Sequence, residues 1–169
     1  LIHAGSGGVG SIAIQLAKNI GAEVTTTTST ANVELVKSLG ADIVIDYKKE
    51  NFQDKLSGYD LVFDTLGGKT RDESYKVLKP GGILISVNGI PTTDVAYEYG
   101  LNFIIKSLFF ILNMKNTSLA KKYKVNYKYL FMNANGEQLS KIAKLIEDKK
   151  VKPLVDKTFP LKDVREAFS

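Results

Sequence analysis

The chain has no cysteine. That excludes disulfides, a thiolate nucleophile and zinc–thiolate ligation within its 169 residues, and it fits a reducing compartment, read here as cytoplasmic. Arginine is scarce: Arg71 and Arg165 are the only two. The net charge of +5 is therefore carried almost wholly by lysine, spread along the chain. Nucleic-acid binders concentrate basic residues and favour arginine forks, so this spread reads as a solvated surface and no nucleic-acid partner is expected. The one local basic cluster, "KKYKVNYKY" from Lys121 to Tyr129, interleaves lysine with tyrosine. It reads as a linker entering a strand of half-buried tyrosines rather than as a base-stacking platform. Long apolar runs are also missing. The longest, "LNFIIKSLFFILNM", has 14 residues from Leu101 to Met114 and is broken by Asn102, Lys106 and Ser107. A spanning helix needs about 20 apolar residues, so no membrane partner is expected. The run reads as a helix buried against its own sheet or in an interface.

What is present has a regular rhythm. Short strand-like runs recur at "LIHAG" (1), "EVTTT" (23), "DIVIDY" (42), "YDLVFDT" (59), "GILISV" (82) and "YKYLFM" (127). Several are apolar on consecutive positions, as in strands covered on both faces. Helical patterns lie between them. Ile12, Leu16 and Ile20 recur every fourth residue, Leu35, Val36 and Leu39 mark a second helix, and Leu139, Ile142, Ala143 and Ile146 a third. "KNIGAEV" at Lys18 and "KSLGADIV" at Lys37 repeat one unit: helix end, glycine, strand. Gly21 and Gly40 suit the left-handed position that closes a helix. Strand and helix in alternation predict an α/β fold, a parallel sheet with helices on both faces.

The loop Gly5-Ser6-Gly7-Gly8-Val9-Gly10 follows the first strand and opens the first helix. In that setting a GxGxxG pattern points to a dinucleotide. Gly5 is assigned the tight turn, Gly7 the close approach of a pyrophosphate, and Gly10 the packing of helix on strand. The helix N-terminus offers free N–H groups and partial positive charge to phosphates. An NAD site usually has an acid near the end of the second strand, but "VTTTTSTAN" from Val24 to Asn32 has none. Hydroxyls such as Ser29 can instead donate to a 2′-phosphate. Lys48 can add charge, and Tyr47 can lie against the adenine. NADPH (NADP) is therefore the expected cofactor.

"HAGSGGVGSIAIQLAK", "TTTTSTANVELVKSLGAD", "IDYKKENF", "DLVFDTLGG", "LKPGGILISV" and "KVKPLVDKTFPLKDVREAF" together resemble the cofactor-binding domain of medium-chain dehydrogenase/reductases. The zinc-independent quinone oxidoreductases, including the reticulon-interacting-protein-like enzymes, are the branch they resemble most. The resemblance implies a Rossmann-type doubly wound sheet over residues 1–169. It implies that Gly5 to Gly10 bind pyrophosphate and that Ser29 and Tyr47 hold the 2′-phosphate end. Leu66-Gly67, Val87-Asn88-Gly89 and Phe131-Met132-Asn133 would approach the nicotinamide. Some of these enzymes have lysine where Asn32 stands, which leaves Lys48 as the main charge candidate. The family also has a GroES-like catalytic domain before the cofactor domain and a return segment after it. On that pattern the chain is expected to be the cofactor domain of an enzyme reducing a quinone or an activated C=C or C=O bond, with little turnover alone.

Other readings remain open at this point. His3, the only histidine, reads as structural. Asp46, Asp60 and Asp64 sit near strand ends and read as turn or cap residues rather than as an acid–base pair. "VLKPGGILISV" would also suit an S-adenosylmethionine-dependent methyltransferase, whose second-strand acid is missing here. A non-catalytic NAD(P)-binding module is a third reading. Homodimerisation through the Leu101–Met114 run or the strand at Tyr127–Met132 is a candidate. Leu154, Val155 and Phe159 are expected to be exposed where a catalytic domain would pack. No metal site is expected.

Overall fold

The computed structural model of the chain describes residues 1–168. Its elements in chain order are α1 (Gly8–Asn19), β1 (Thr25–Thr28), α2 (Val33–Ser38), β2 (Ile43–Asp46), α3 (Phe52–Lys55), β3 (Tyr59–Asp64), α4 (Gly68–Ser74), β4 (Leu78–Ser86), α5 (Thr93–Glu98), α6 (Phe103–Tyr123), β5 (Asn126–Tyr129), α7 (Gly136–Glu147) and α8 (Val164–Ala167).

All pairings between these strands are parallel. β1 pairs with β2, β3 with β4, and β4 with β5. The opening segment bridges the two halves: Ile2 pairs with Thr26 on one side and Phe63 on the other. Its backbone bonds run both ways, Ile2 N–H to Thr25 O at 2.8 Å and His3 N–H to Phe63 O at 3.0 Å. The spatial order is thus β2, β1, opening segment, β3, β4, β5. This is the doubly wound Rossmann order, and it reverses direction at the opening segment. Ligands in such sheets bind outside the carboxyl ends of the strands at that reversal.

Alternation of side chains along the strands gives each face its own core. Leu1, Val62 and Leu84 pack with Tyr75 and Val77 on one face. Ile2 packs with Ile14, Val24 and Val36 on the other, and Phe63 lies against them. The helix closures follow the local chemistry: Gly21 and Gly40 have φ of 81° and 103°. Lys18, in the last turn of α1, pairs with Asp42 at 2.8 Å across the repeat.

β1 is four threonines, all buried. Each hydroxyl has a partner: Thr25 with Tyr59 Oη at 2.7 Å, Thr26 with Ile2 O at 2.7 Å, Thr27 with His3 Nδ1 at 3.1 Å, and Thr28 with Ser6 Oγ at 3.0 Å. Buried hydroxyls left unpaired would be costly; paired in this way they tie β1 to the opening segment and glycine loop.

Three expectations change. The Leu101–Met114 run is a helix, α6, but it is not buried against the sheet: Phe103, Ile104, Phe110, Ile111 and Met114 are exposed. The buried positions of α6 are the polar Asn113 and Asn116, and only later in the helix do Leu119, Ala120 and Tyr123 pack on the core. The "KKYKVNYKY" stretch is not a linker; α6 runs to Tyr123, turns at left-handed Lys124, and β5 begins at Asn126, with Tyr127 and Tyr129 half-buried. Leu154 and Val155 are exposed, whereas Phe159 is half-buried beneath the Lys157 ammonium. Among the described residues no helix is long and apolar enough to cross a membrane.

Candidate functional site

The glycine turn is built from backbone crowding. Ala4 has φ of 53°, and Gly7 N–H closes on Ala4 O at 3.0 Å. Ala4, not Gly5, therefore takes the left-handed conformation, which corrects the role expected of Gly5. Gly5 is required for space: a Cβ there would lie 2.1 Å from Thr26 Oγ1 and 2.9 Å from Ile14 Cδ1. At Gly10 a Cβ would lie 2.2 Å from Ala4 O, so α1 rests directly on the turn. Gly7, Gly8 and Val9 are exposed, and around Gly8 no atom lies within 4 Å of a Cβ position. The first N–H groups of α1 thus lie at an exposed, uncrowded helix end, as an anion requires.

A polar bridge joins this turn to the ends of β1 and β2. Asn32 Nδ2 donates to Ser6 Oγ at 3.2 Å and to Ser29 Oγ at 3.3 Å. Asp46 is the nearby carboxylate, but it is buried and turned inward. It accepts from Thr30 Oγ1 at 2.6 Å and from Lys48 N–H at 3.0 Å. The Thr30 hydrogen bond holds its pKa below the ordinary carboxylate range, against the desolvation that opposes this, with help from Lys48 N–H and the Lys49 ammonium. Asp46 shapes the turn that exposes Tyr47 and Lys48.

The turns after β3 and β4 are stapled together. Asp64, fully buried, accepts from Leu66 N–H at 3.0 Å and Gly67 N–H at 2.9 Å through Oδ1. Ser86 Oγ lies 2.8 Å from Asp64 Oδ2 and 2.8 Å from Asn88 O. Asn88 Nδ2 donates back to Leu66 O at 3.0 Å. Val87 N–H bonds Asp64 O at 3.0 Å, and Gly89 takes φ of 121° close to Arg71. Thr65 Oγ1 donates to His3 O at 3.2 Å, joining this pair of turns to the glycine turn. Phe131, Met132 and Asn133 follow β5 on the same edge but are tied to α5: Tyr99 packs edge-on against Phe131 at 5.3 Å and bonds Asn133. Asp64 serves the turn after β3, as read from the sequence. Ser86, Asn32 and Thr30 are site-shaping residues that sequence reasoning did not single out; their bonds to Asp64, Ser6 and Asp46 span 16 to 26 residues of chain.

His3 is fully buried and neutral. Thr27 Oγ1 receives Ala4 N–H and offers its proton to His3 Nδ1; His3 Nε2–H points to Ser74 Oγ at 2.8 Å, which donates to Thr70 O. Burial lowers its pKa to about 4, although the nearby Asp64 charge pulls the other way. Asp60 is exposed and paired with Lys79, which lowers its pKa. The three strand-end carboxylates thus serve turns and ion pairs and do not converge.

Residues 39–169 match the zinc-binding dehydrogenase family, and the chain belongs to it. It is a member of the medium-chain dehydrogenase/reductase superfamily, with the fold of its quinone oxidoreductases. It is 38% identical, over 100% of its length, to the chloroplastic NADPH-dependent alkenal/one oxidoreductase of Arabidopsis thaliana. To the mitochondrial NAD(P)H oxidoreductase RTN4IP1 of Bos taurus it is 35% identical over 99%. It covers 36% and 43% of those two proteins, so it spans less than half their length. Among solved structures, the quinone oxidoreductase from Coxiella burnetii superposes with a TM-score of 0.79 at 31% identity, over 99% of this chain and 46% of that one. Relatives from chloroplast and mitochondrion leave the expected cytoplasmic location without support. The family's name implies zinc. The residues here do not fit it: cysteine is absent, both His3 nitrogens are engaged, and no metal-holding cluster of His, Asp and Glu occurs among the described residues.

Proposed function

We propose that this chain is the NADPH-binding domain of an oxidoreductase that reduces a quinone or an activated C=C or C=O bond. One observation carries the reading. An open glycine turn at the sheet's reversal point is joined by Asn32 to a surface of hydroxyls and lysine, and the Asp46 carboxylate nearby is turned away to Thr30. An NADPH molecule fits that order of groups. The exposed N–H groups of α1 would hold the pyrophosphate. Ser29, Lys48 and the ring of Tyr47 would hold the 2′-phosphate and adenine, with Ser6 fixed beneath them. The stapled turns at Leu66-Gly67 and Val87-Asn88-Gly89 would hold the nicotinamide amide, and Phe131-Met132-Asn133 would flank it. Bound there, the cofactor supplies the hydride, and the protein contributes orientation and exclusion of water.

The names of the relatives support the reaction class: an NADPH-dependent alkenal/one oxidoreductase, a 2-methylene-furan-3-one reductase and a quinone oxidoreductase. A separate catalytic domain would supply substrate contacts, so the chain alone binds cofactor and turns over little. The test is a calorimetric titration of the chain with NADPH, NADH and S-adenosylmethionine at fixed salt. NADPH binding tightest is the expected result. NADH binding tighter would overturn the 2′-phosphate assignment, and preferential S-adenosylmethionine binding would overturn the reaction class.

A further inference from the structure

Arg71, on α4, touches both of the turns that follow β3 and β4. Its backbone N–H donates to Gly67 O at 3.3 Å. Its guanidinium reaches the other turn: a Cβ at Gly89 would lie 2.9 Å from Arg71 Nη1. Gly89 has φ of 121°, so a side chain there would meet backbone strain as well as the guanidinium. The two turns also meet directly, where Asn88 Cγ lies 3.5 Å from a Cβ position at Gly67. Asp64, Ser86 and Asn88 staple them from the strand ends. Arg71 spans them from α4.

The guanidinium is not placed as a strong ion pair would be. The Arg71 side chain is only 14% exposed, and burying a cation is costly unless it is fully paired. Its contact with Asp72 Oδ1 is 3.4 Å, long against the usual charge-assisted bond of about 2.7–2.9 Å. Asp72 is held through its other oxygen by Lys115. Arg71 Nε has no hydrogen-bond partner among the described residues. The neighbouring rings of Tyr75 and Tyr127, 6.2 Å apart, supply no counter-charge. Burial raises the pKa of both phenols, against the pull of the Arg71 charge, so both stay neutral. An apolar side chain of this length would serve stability as well. What arginine adds is a planar, rigid fork set against the Gly89 turn.

We propose that Arg71 is a positioning residue for the nicotinamide. It fixes the spacing of the Leu66-Gly67 and Val87-Asn88-Gly89 turns, and with it the hydrogen-bond geometry in which the cofactor's reacting ring is held. It acts through Gly67 and Gly89 and not on the ring. Hydrogen bonds weaken steeply as their angle departs from linear, so a small change in that spacing costs affinity at the nicotinamide end alone. This assignment rests on the cofactor site proposed above.

The test is calorimetry of the chain and of Arg71→Met with two ligands, NADPH and 2′-phospho-ADP-ribose, which lacks only the nicotinamide. Arg71→Met keeps the apolar stem and leaves Asp72 to Lys115, so the fold and the phosphate-binding end are retained. NADPH should bind the variant about tenfold more weakly, the worth of roughly one hydrogen bond, and 2′-phospho-ADP-ribose within about twofold of its original affinity. Arg71→Lys keeps a cation beside Asp72 but not the fork; it should show the same split, and it carries the test if the methionine variant does not fold. Equal weakening of both ligands, or weakening of neither, in a folded variant would overturn the inference. Equal affinity of the unsubstituted chain for the two ligands would overturn it as well, because the turns would then hold no nicotinamide. Binding of neither ligand by the unsubstituted chain would instead overturn the cofactor site itself.

Discussion

His3 makes the stability of this fold depend on pH in a narrow window. In an unfolded chain a histidine takes up a proton below its ordinary pKa of about 6.5. In the folded chain His3 stays neutral down to about pH 4, chiefly because it is buried. Between those values the unfolded state binds more protons, so stability falls as pH falls and is unaffected by this group above the window. The difference of roughly 2.5 units corresponds to about 3 kcal/mol in total, of which about 2 kcal/mol is lost by pH 5. The lowered pKa values of Asp42, Asp46 and Asp60 act further down, with stability lost as pH falls below the ordinary aspartate range. The Leu1 amino group, lowered to about 6, also titrates as pH falls. His3→Gln separates the terms, because it keeps a donor and an acceptor but takes no proton. Urea unfolding of both proteins at pH 7.5 and pH 5.0 should show the chain losing about 2 kcal/mol more than the variant. Parallel losses, within about 0.5 kcal/mol, would refute the buried neutral pair of contacts to Thr27 and Ser74.

Three further outcomes follow from the site. Ser29→Asp puts a carboxylate where a 2′-phosphate would sit and removes a hydrogen bond to a charged group, worth about 1.5–3 kcal/mol; calorimetry should show NADPH binding at least about tenfold weaker and NADH binding little changed. Gly10→Ala drives a Cβ to 2.2 Å from Ala4 O and 2.8 Å from Gly5 Cα, both backbone, whereas Gly8→Ala meets nothing. The first should cost about 1–3 kcal/mol by overpacking, a fall in Tm of several degrees, and the second should be neutral within about 0.5 kcal/mol. Asp64→Ala leaves Leu66 N–H, Gly67 N–H and Ser86 Oγ without their acceptor. Chemical denaturation should show a loss of about 2 kcal/mol or more, at a cost of about 1–3 kcal/mol for a buried group left unpaired.

The parts of this fold that the sequence makes legible are those decided by neighbours along the chain. Gly21 and Gly40 close helices where a lysine-ended helix meets a strand, and their positive φ values follow from that local pattern. The alternation of strand and helix likewise requires a parallel sheet whatever the details of packing. The parts that are not legible are decided across the sheet. Four consecutive threonines read as a β-branched strand; that each hydroxyl finds a different partner, 22 to 34 residues away in the chain, depends on the register of β1 against the opening segment and β3. Asp64 and Ser86 likewise meet only because β3 and β4 pair Asp64 with Ser86. The motif itself misleads at one point. GxGxxG draws the eye to Gly5 as the turn residue, whereas the left-handed backbone falls on Ala4 and Gly5 exists to clear Thr26. α6 shows the same limit in reverse. Hydrophobicity along Leu101–Met114 argues for burial, but the two asparagines at Asn113 and Asn116 find their partners on the inner side. With Asn113 and Asn116 turned inward, the helical period carries Phe103, Ile104, Phe110, Ile111 and Met114 outward, while Leu119, Ala120 and Tyr123 further along reach the core.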